Sequence, residues 1–452
     1  MPETPNADAG VTVCPQCQSR YNTANMPVGK RLQCGKCQAT LVVGRATELV
    51  DHLVEEAVLL GASDIHIEPL TDKLRVRFRI DGVLQPRMML AKDLQPKILS
   101  RVKLLSDADI AERRLHQDGR FKLTFGDNEV DLRMSSFVTV NGENIVLRIL
   151  NKRIGLVPLD DLGFPARIKQ QYMDRALDSA AGVIVITGPT GSGKTTTLYS
   201  SIDYCNSDSV KIITAEDPVE YQIDGVMQCS INEKIGLTFS ETLKSLVRQD
   251  PDIVVLGEIR DPESAQTAIQ AALTGHQVFT TFHTEDSIGT LLRLMDMGVE
   301  PYLLASTIIC ALGQRLTRRI CPDCKTEVKP KKRSVDMLGI EYGHLAGRQL
   351  YAGKGCAVCR QTGYRGRIGL YEALYLDDLL RQAVMDRRPA HELRQMALAG
   401  GEFVTMKEVG IARTLLGQTT LEEVWAQVPR GVAPRDPVDI FRLIGDELPA
   451  KT

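Results

Sequence analysis

Eight consecutive residues, Gly188, Pro189, Thr190, Gly191, Ser192, Gly193, Lys194 and Thr195, fit the spacing G-x-x-x-x-G-K-[ST]. Each residue type has a task there. The glycines let successive backbone N–H groups turn inward around a phosphate, and Lys194 brings a positive charge to the β- and γ-phosphates. The Thr195 hydroxyl offers Mg²⁺ an oxygen at the start of a helix. A loose pattern can arise by chance in a long chain, so the flanks decide. Gly182–Thr187 (GVIVIT) is an apolar run of strand length, and the chain from Thr196 onward reads as helix. The expectation is a nucleoside triphosphate site at residues 188–196, with ATP and Mg²⁺ as its ligands.

Such a loop needs a sheet to hold it. Apolar runs at 183–187, 210–215, 253–257 and 277–282 alternate with helical periodicity at 240–249, 262–273 and 287–297. That alternation predicts a parallel sheet flanked by helices over residues 166–313, with ligands at the C-terminal strand ends. Candidate groups fall at those ends. TAEDPVEY supplies Glu216, Asp217 and Glu220, GEIRD supplies Glu258, and TGHQVFTTFHT places His276 and His283 at the two ends of one strand. Phosphoryl transfer to water needs a positioned γ-phosphate, a metal and a group that orients and deprotonates the water. Glu258 suits Mg²⁺ held through water and Glu220 suits the base. Any one acid could instead cap a helix, and a lone histidine is more often part of a core.

Eight of the eleven cysteines form four Cys-x-x-Cys pairs. Cys14, Cys17, Cys34 and Cys37 have the spacing of a four-thiolate zinc site, and residues 1–45 read as a zinc ribbon too small to fold without its metal. A redox pair is the alternative. Cys321, Cys324, Cys356 and Cys359 are spaced more widely than a short ribbon allows, so spacing alone supports Zn²⁺ there less strongly.

Residues 46–150 read as a small α+β domain. A helix over 47–60 precedes SDIHIEP, in which Asp64, His66 and Glu68 share one strand face, better read as solvated than as a metal site. LRVRFRI alternates, Asp81-Gly82 marks a hairpin, a helix falls near 93–105, and further strands carry Arg120, Arg133 and Arg148. Those three could reach a nucleotide held by another domain, or simply solvate a face. Residues 151–165, with Pro158 and Gly163, read as a linker, and 378–427 as helical, with Gly417 ending one helix and Thr419 or Thr420 capping the next.

The chain of 452 residues has net charge −2, which gives no support to a nucleic-acid partner. It shows no apolar run long enough to span a bilayer and no signal-peptide pattern. A cytoplasmic protein is expected, reaching a membrane only through a partner.

With these motifs in view, the chain resembles the secretion ATPase superfamily, in particular the type II secretion and type IV pilus assembly ATPases. The resemblance runs over 63–428 and rests on SDIHIEP, RVRFRIDGVL, HQDGR, GPTGSGKTTTLY, EDPVEY, RQDPDIVVLGEIRD and TGHQVFTTFHT. It implies an α/β fold with a RecA-like P-loop NTPase core, preceded by a PAS-like α+β domain. It further implies that Glu220 is the catalytic glutamate of an Asp box, Glu258 the acid of an atypical Walker B motif, and His276 and His283 the residues of a His box. A hexameric ring is implied, whose N-terminal domains donate arginines to nucleotide sites; Arg120, Arg133 and Arg148 match by position. So is an inner-membrane platform protein as partner, with the chain peripheral at that membrane. Assembly-type members carry a tetracysteine module where Cys321 to Cys359 stand, followed here by a helical region and tail at 377–452, whereas retraction motors generally lack the module. The departure is at the front, where a zinc ribbon replaces a larger N-terminal domain. The competing expectations are a pilus retraction or DNA-uptake motor, a nucleic-acid-binding protein whose ribbon contacts nucleic acid, and a scaffold that binds ATP without hydrolysing it.

Overall fold

A computed structural model describes residues 11–14, 17, 19–23, 26, 31–38, 40–42, 46–126, 128–151, 156–345 and 347–450. The chain divides into two compact units, Met1–Gly155 and Leu156–Thr452.

In the first unit, β1 (Val11–Val13) pairs with β2 (Arg20–Asn22) and β3 (Arg31–Gln33) with β4 (Thr40–Val42), both antiparallel. The first four cysteines gather beside these ladders, with Cys14 Sγ 3.4 Å from Cys37 Sγ and Cys17 Sγ 3.4 Å from Cys34 Sγ. After α1 (Ala46–Leu59) come β5 (Ala62–Pro69), β6 (Lys73–Ile80), β7 (Val83–Ala91), α2 (Gln95–Leu105), β8 (Gln117–Phe125), β9 (Asn128–Thr139) and β10 (Gly142–Asn151). They build a six-stranded antiparallel sheet in the order β7-β6-β5-β10-β9-β8. The alternation of β6 decides its two faces: Leu74, Val76, Phe78 and Ile80 join Leu49, Leu53, Ile98 and Val102 of the helices in one core. The hairpin at Asp81 (φ 50°) and Gly82 (φ 82°) has the two positive φ values that a tight two-residue turn requires.

The other face is a charge lattice. Arg79, Asp64, Arg148, Arg133 and Arg120 stand directly opposite one another across five neighbouring strands. Arg148 Nε lies 3.1 Å from Asp64 Oδ1, Arg120 donates twice to Asp131 at 2.7 Å, and Glu68 is held by Arg75 and Arg77. The expected solvated face of Asp64, His66 and Glu68 is therefore ion-paired, with Asp64 only 7% exposed.

The second unit centres on a seven-stranded sheet. Its strands are β11 (Gly182–Thr187), β12 (Ile212–Glu216), β13 (Met227–Ser230), β14 (Ile253–Leu256), β15 (Gln277–Phe282), β16 (Ile308–Ile320) and, after the short pair β17 (Lys325–Val328) and β18 (Leu350–Gly353), β19 (Tyr364–Tyr375). The order is β13-β12-β14-β15-β11-β16-β19, parallel throughout except for β19. Between the strands lie α3 (Ala166–Tyr172), α4 (Lys194–Cys205), α5 (Phe239–Leu246), α6 (Pro262–Leu273), α7 (Ser287–Asp296) and α8 (Pro301–Thr307). All six residues of β11 are buried. Ile184 and Ile186 enter a core with Leu198 and Tyr199 of α4, and Val183 and Val185 enter a second core with Ala265 and Ala268 of α6. Full burial of each such side chain is worth about 1.5–3 kcal/mol, which holds β11 in the sheet interior between β15 and β16.

Three sequence expectations change here. The sheet carries an antiparallel edge strand, β19. The break expected at 313 falls inside β16, whose first half is buried in the sheet while its second half, richer in arginine, continues past the sheet edge paired to β19. Part of the supposed linker 151–165 belongs to the second unit's core: Phe164 stacks on Tyr371 at 3.9 Å and on Tyr172 at 5.6 Å. The region after β19 is helical as expected, with helices at Asp378–Met385, Ala390–Ala399, Met406–Leu415, Leu421–Gln427 and Pro437–Ile444. Gly417 has φ 67° and Thr420, rather than Thr419, caps the next helix.

Candidate active site

The phosphate loop leaves β11 at Thr187 and enters α4 at Lys194. Its glycines are required by close approach as much as by φ. A Cβ on Gly188 (φ 152°) would lie 2.3 Å from the Gln314 carbonyl oxygen on β16, and one on Gly193 (φ 87°) 2.9 Å from Gln314 Nε2. Gln314 also donates from Nε2 to Ser192 O at 2.9 Å, so β16 clamps the loop's back. Gly191, by contrast, faces open space, as do exposed Pro189, Thr190 and Thr195.

Lys194 is 8% exposed and donates to Gly188 O at 2.8 Å and Pro189 O at 3.2 Å. Burial pulls its ammonium down to about 8; Glu258 draws it back up, and Arg315, which donates to Glu285 O, pushes it lower. Its Nζ also lies 3.4 Å from His283 Nδ1, while His283 Nε2 lies 3.3 Å from Glu258 Oε2. Both contacts are satisfied by a neutral imidazole whose proton sits on Nε2. Glu258 in turn pairs with Arg260, and Arg260 Nη1 reaches Asp217 Oδ2 at 3.3 Å. Lys194, His283, Glu258, Arg260 and Asp217 thus form one line of contacts across the C-terminal ends of β11, β15, β14 and β12, in the order of the sheet.

Glu216, the last residue of β12, is 4% exposed and saturated by donors, so it is structural. The Asp217–Pro218 peptide is cis. Glu220 follows on a half-buried loop, its N–H donating to the Tyr199 hydroxyl of α4 at 3.2 Å. Its strand is not beside β11: β14 and β15 intervene, and α4, packed on the same face, connects the two.

His276 stands elsewhere. It precedes β15, whose register with β11 pairs Gln277 with Gly182 and Phe282 with Thr187, so His276 lies at the N-terminal edge of the sheet. Six residues of strand, roughly 20 Å, separate it from His283. There its Nδ1 meets Ala271 O at 2.9 Å and Thr274 Oγ1 at 3.0 Å, closing the end of α6. Arg120, Arg133 and Arg148 belong to the first unit's lattice. The contributions of Tyr199, Arg260, Gln314 and Arg315 were not read from the sequence; GEIRD drew notice to its acid, and nothing in the spacing of the other three marks their partners.

Residues 43–426 match the family described as Type II/IV secretion system protein. The chain belongs to that family. It is 42% identical over 376 residues to the type II secretion system protein E of Pseudomonas aeruginosa, covering 83% of this chain and 74% of the relative. It is 43% identical over 382 residues to the type IV pilus assembly ATPase PilB of Thermus thermophilus, covering 84% of this chain but only 43% of that relative. Among solved structures, the pilus retraction motor PilT with bound ADP superposes with a TM-score of 0.56 at 25% identity, covering 84% of this chain and 97% of that one. The Legionella pneumophila ATPase DotB shares the fold, with a TM-score of 0.60 at 19% identity over 84% of this chain and 94% of its own. Residues 1–42, with the first cysteine set, lie outside the family match.

The lowered Lys194 value has a consequence for this secretion-family site. A triphosphate favours the ammonium form, and the free protein loses that proton as pH rises through about 8. ATP affinity should be flat below pH 8 and fall by about tenfold per pH unit above it, by one-proton linkage. Equilibrium nucleotide binding between pH 7 and 9.5 checks this, and Lys194→Ala should remove the bend.

Proposed function

We propose that this chain is a Mg²⁺-dependent ATP hydrolase that works as a hexameric motor and powers pseudopilus assembly in type II secretion or pilus assembly in a type IV system. The observation that carries this reading is the line from Lys194 through His283, Glu258 and Arg260 to Asp217, laid along the strand ends of a family member. The second unit's sheet is the RecA-like core, residues 46–150 the PAS-like domain, and residues 1–45 a zinc ribbon.

The loop N–H groups and Lys194 bind and orient the triphosphate. The exposed Thr195 hydroxyl on the first turn of α4 and the Glu258 carboxylate, 18% exposed at a strand end, fit the two sides of a Mg²⁺ site. Mg²⁺ bound there neutralises charge that develops on the phosphates. Glu220 orients and deprotonates the water, and His283, between Lys194 and Glu258, reads the terminal phosphate. Arg120, Arg133 and Arg148 meet a nucleotide held by another domain of the ring, so that loss of phosphate releases the closed arrangement. His276, at the far sheet edge, has a structural part instead. The motor acts in the cytoplasm, held at the inner membrane by a platform protein; among the described residues no helix is long and apolar enough to cross a membrane. Identities of 42% and 43% to a secretion protein and an assembly ATPase, against 25% to a retraction motor, favour assembly over retraction.

Each cysteine set fits one Zn²⁺. Tetrahedral thiolates at about 2.3 Å from zinc stand about 3.8 Å apart. Cys321–Cys356, Cys324–Cys359 and Cys356–Cys359 are at 3.9, 3.8 and 3.7 Å, and the four Sγ atoms of either set lie within 4.8 Å of one another.

Steady-state hydrolysis tests the chemistry. Lys194→Ala and Glu220→Gln should each lose roughly 100-fold or more in kcat/KM, the scale of a lost positioning charge or general base; full activity in either refutes its assigned role. Elemental analysis should find two zinc ions per chain, and one in Cys34→Ser. One ion in the unmodified protein would mean that one set is not a metal site.

A further inference from the structure

Tyr199 is fully buried on α4, the helix that begins at Lys194. Its hydroxyl donates to Glu216 Oε2 and accepts the Glu220 N–H at 3.2 Å. Glu216 Oε1 accepts from Thr214 Oγ1 at 2.6 Å and from Gln228 Nε2 at 3.2 Å. Gln228, on β13, also accepts the Ile223 N–H at 2.8 Å and donates to Tyr221 O at 3.2 Å. The Tyr221 ring meets the Tyr199 ring edge-on, with centroids 4.6 Å apart.

The loop 217–223 is therefore braced at Glu220 through Tyr199 and at Tyr221 and Ile223 through Gln228, and both braces meet on one buried carboxylate. A buried carboxylate requires donors, and neutral ones supply them here, so Glu216 is occupied and its geometry is fixed. Burial, with Glu216 beside it, pushes the Tyr199 phenol far above its ordinary value, which keeps the proton on the hydroxyl. That proton is committed to Glu216 and a lone pair to the Glu220 N–H. Tyr199 thus exchanges no proton, and its hydrogen bond to Glu220 is made with the backbone N–H.

We infer that Tyr199, through Glu216 and Gln228, is a positioning residue for hydrolysis: it sets the register of the loop bearing Glu220 against the helix bearing the phosphate loop. The inference rests on the reading of Glu220 as the base. It makes a distinction that a general packing role would not, because the hydroxyl governs where the base stands and not whether nucleotide binds. Misplacing a reacting group by about 1 Å can cost 100-fold in rate.

The test uses the full-length chain. Tyr199→Phe keeps the ring and its edge contact, and should lower kcat by roughly 10- to 100-fold. KM for ATP, and the equilibrium affinity for a non-hydrolysable ATP analogue, should stay within about twofold, as expected when only transition-state positioning is lost. On a Glu220→Gln background Tyr199→Phe should leave the residual rate unchanged. Glu216→Gln keeps one acceptor for the hydroxyl but turns an amide NH2 toward Gln228 Nε2, so it should show a kcat-selective loss of the same kind. Should Tyr199→Phe fail to fold, Gln228→Leu removes the other brace without touching α4, and the same kcat-selective loss is expected. A fully active Tyr199→Phe beside an inactive Glu220→Gln overturns this inference alone, as does an equal loss on both backgrounds. An active Glu220→Gln overturns the base assignment and this inference together.

Discussion

Where β16 runs beside β11, the backbone at Gln314 and the phosphate loop approach so closely that no side chain fits between them. A Cβ at Gly188 would fall 2.3 Å from the Gln314 carbonyl oxygen, and the Gln314 amide holds Ser192 from the same side. This contact turns a flexible glycine run into a fixed cradle with its open side facing out at Gly191. The fully buried interior strand β11 anchors one end and α4 the other. The placement of Lys194 and Thr195 follows from that clamp.

Charge at the strand ends is arranged by sheet order. A parallel sheet collects the turns after β12, β14, β15 and β11 along one edge, and the site reads across it. Lys194 is desolvated in the loop yet faces Glu258 through His283, while Arg260 spreads the negative charge of Glu258 and Asp217. Neighbouring strand ends thereby hold each other's side chains before any ligand is considered. The first unit also gathers its charges on one face, where Arg79, Asp64 and Arg148 stand in cross-strand register and Asp131 pairs with Arg120, leaving the apolar face to the helices.

The sequence was most legible where period and spacing carry physics. The strand–loop–helix order around Gly188 to Thr195, the alternation of LRVRFRI, the Asp81-Gly82 hairpin and the first cysteine set all depend on local pattern. It was least legible where function follows from topology. His276 and His283 look equivalent in TGHQVFTTFHT, but a strand has two ends, and only the sheet's direction tells which one faces the loop. The strand that precedes Glu220 is the next apolar run after the loop's helix in the chain, whereas β14 and β15 lie between it and β11, because strand order is not chain order. Tyr199 reads as an ordinary aromatic in a helix, and its hydroxyl gains a role only when α4 and β12 are packed together. The antiparallel β19 lay hidden because its partner, β16, is apolar at one end and cationic at the other, matching neither a buried nor an amphipathic strand along its whole length.

The unbroken run of β16 has a mechanical meaning. The strand touches the phosphate cradle at Gln314 and, seven residues and about 23 Å of extended chain later, delivers Cys321 to the second cysteine cluster. The ladder to β19 supports this span apart from an irregularity between Arg318 and Ile320, and Cys321 N–H closes it on Gly363 O at 3.0 Å. No loop intervenes to absorb a displacement, so the cluster is fastened to the cradle as a handle is to a blade, and a tilt of one is a tilt of the other.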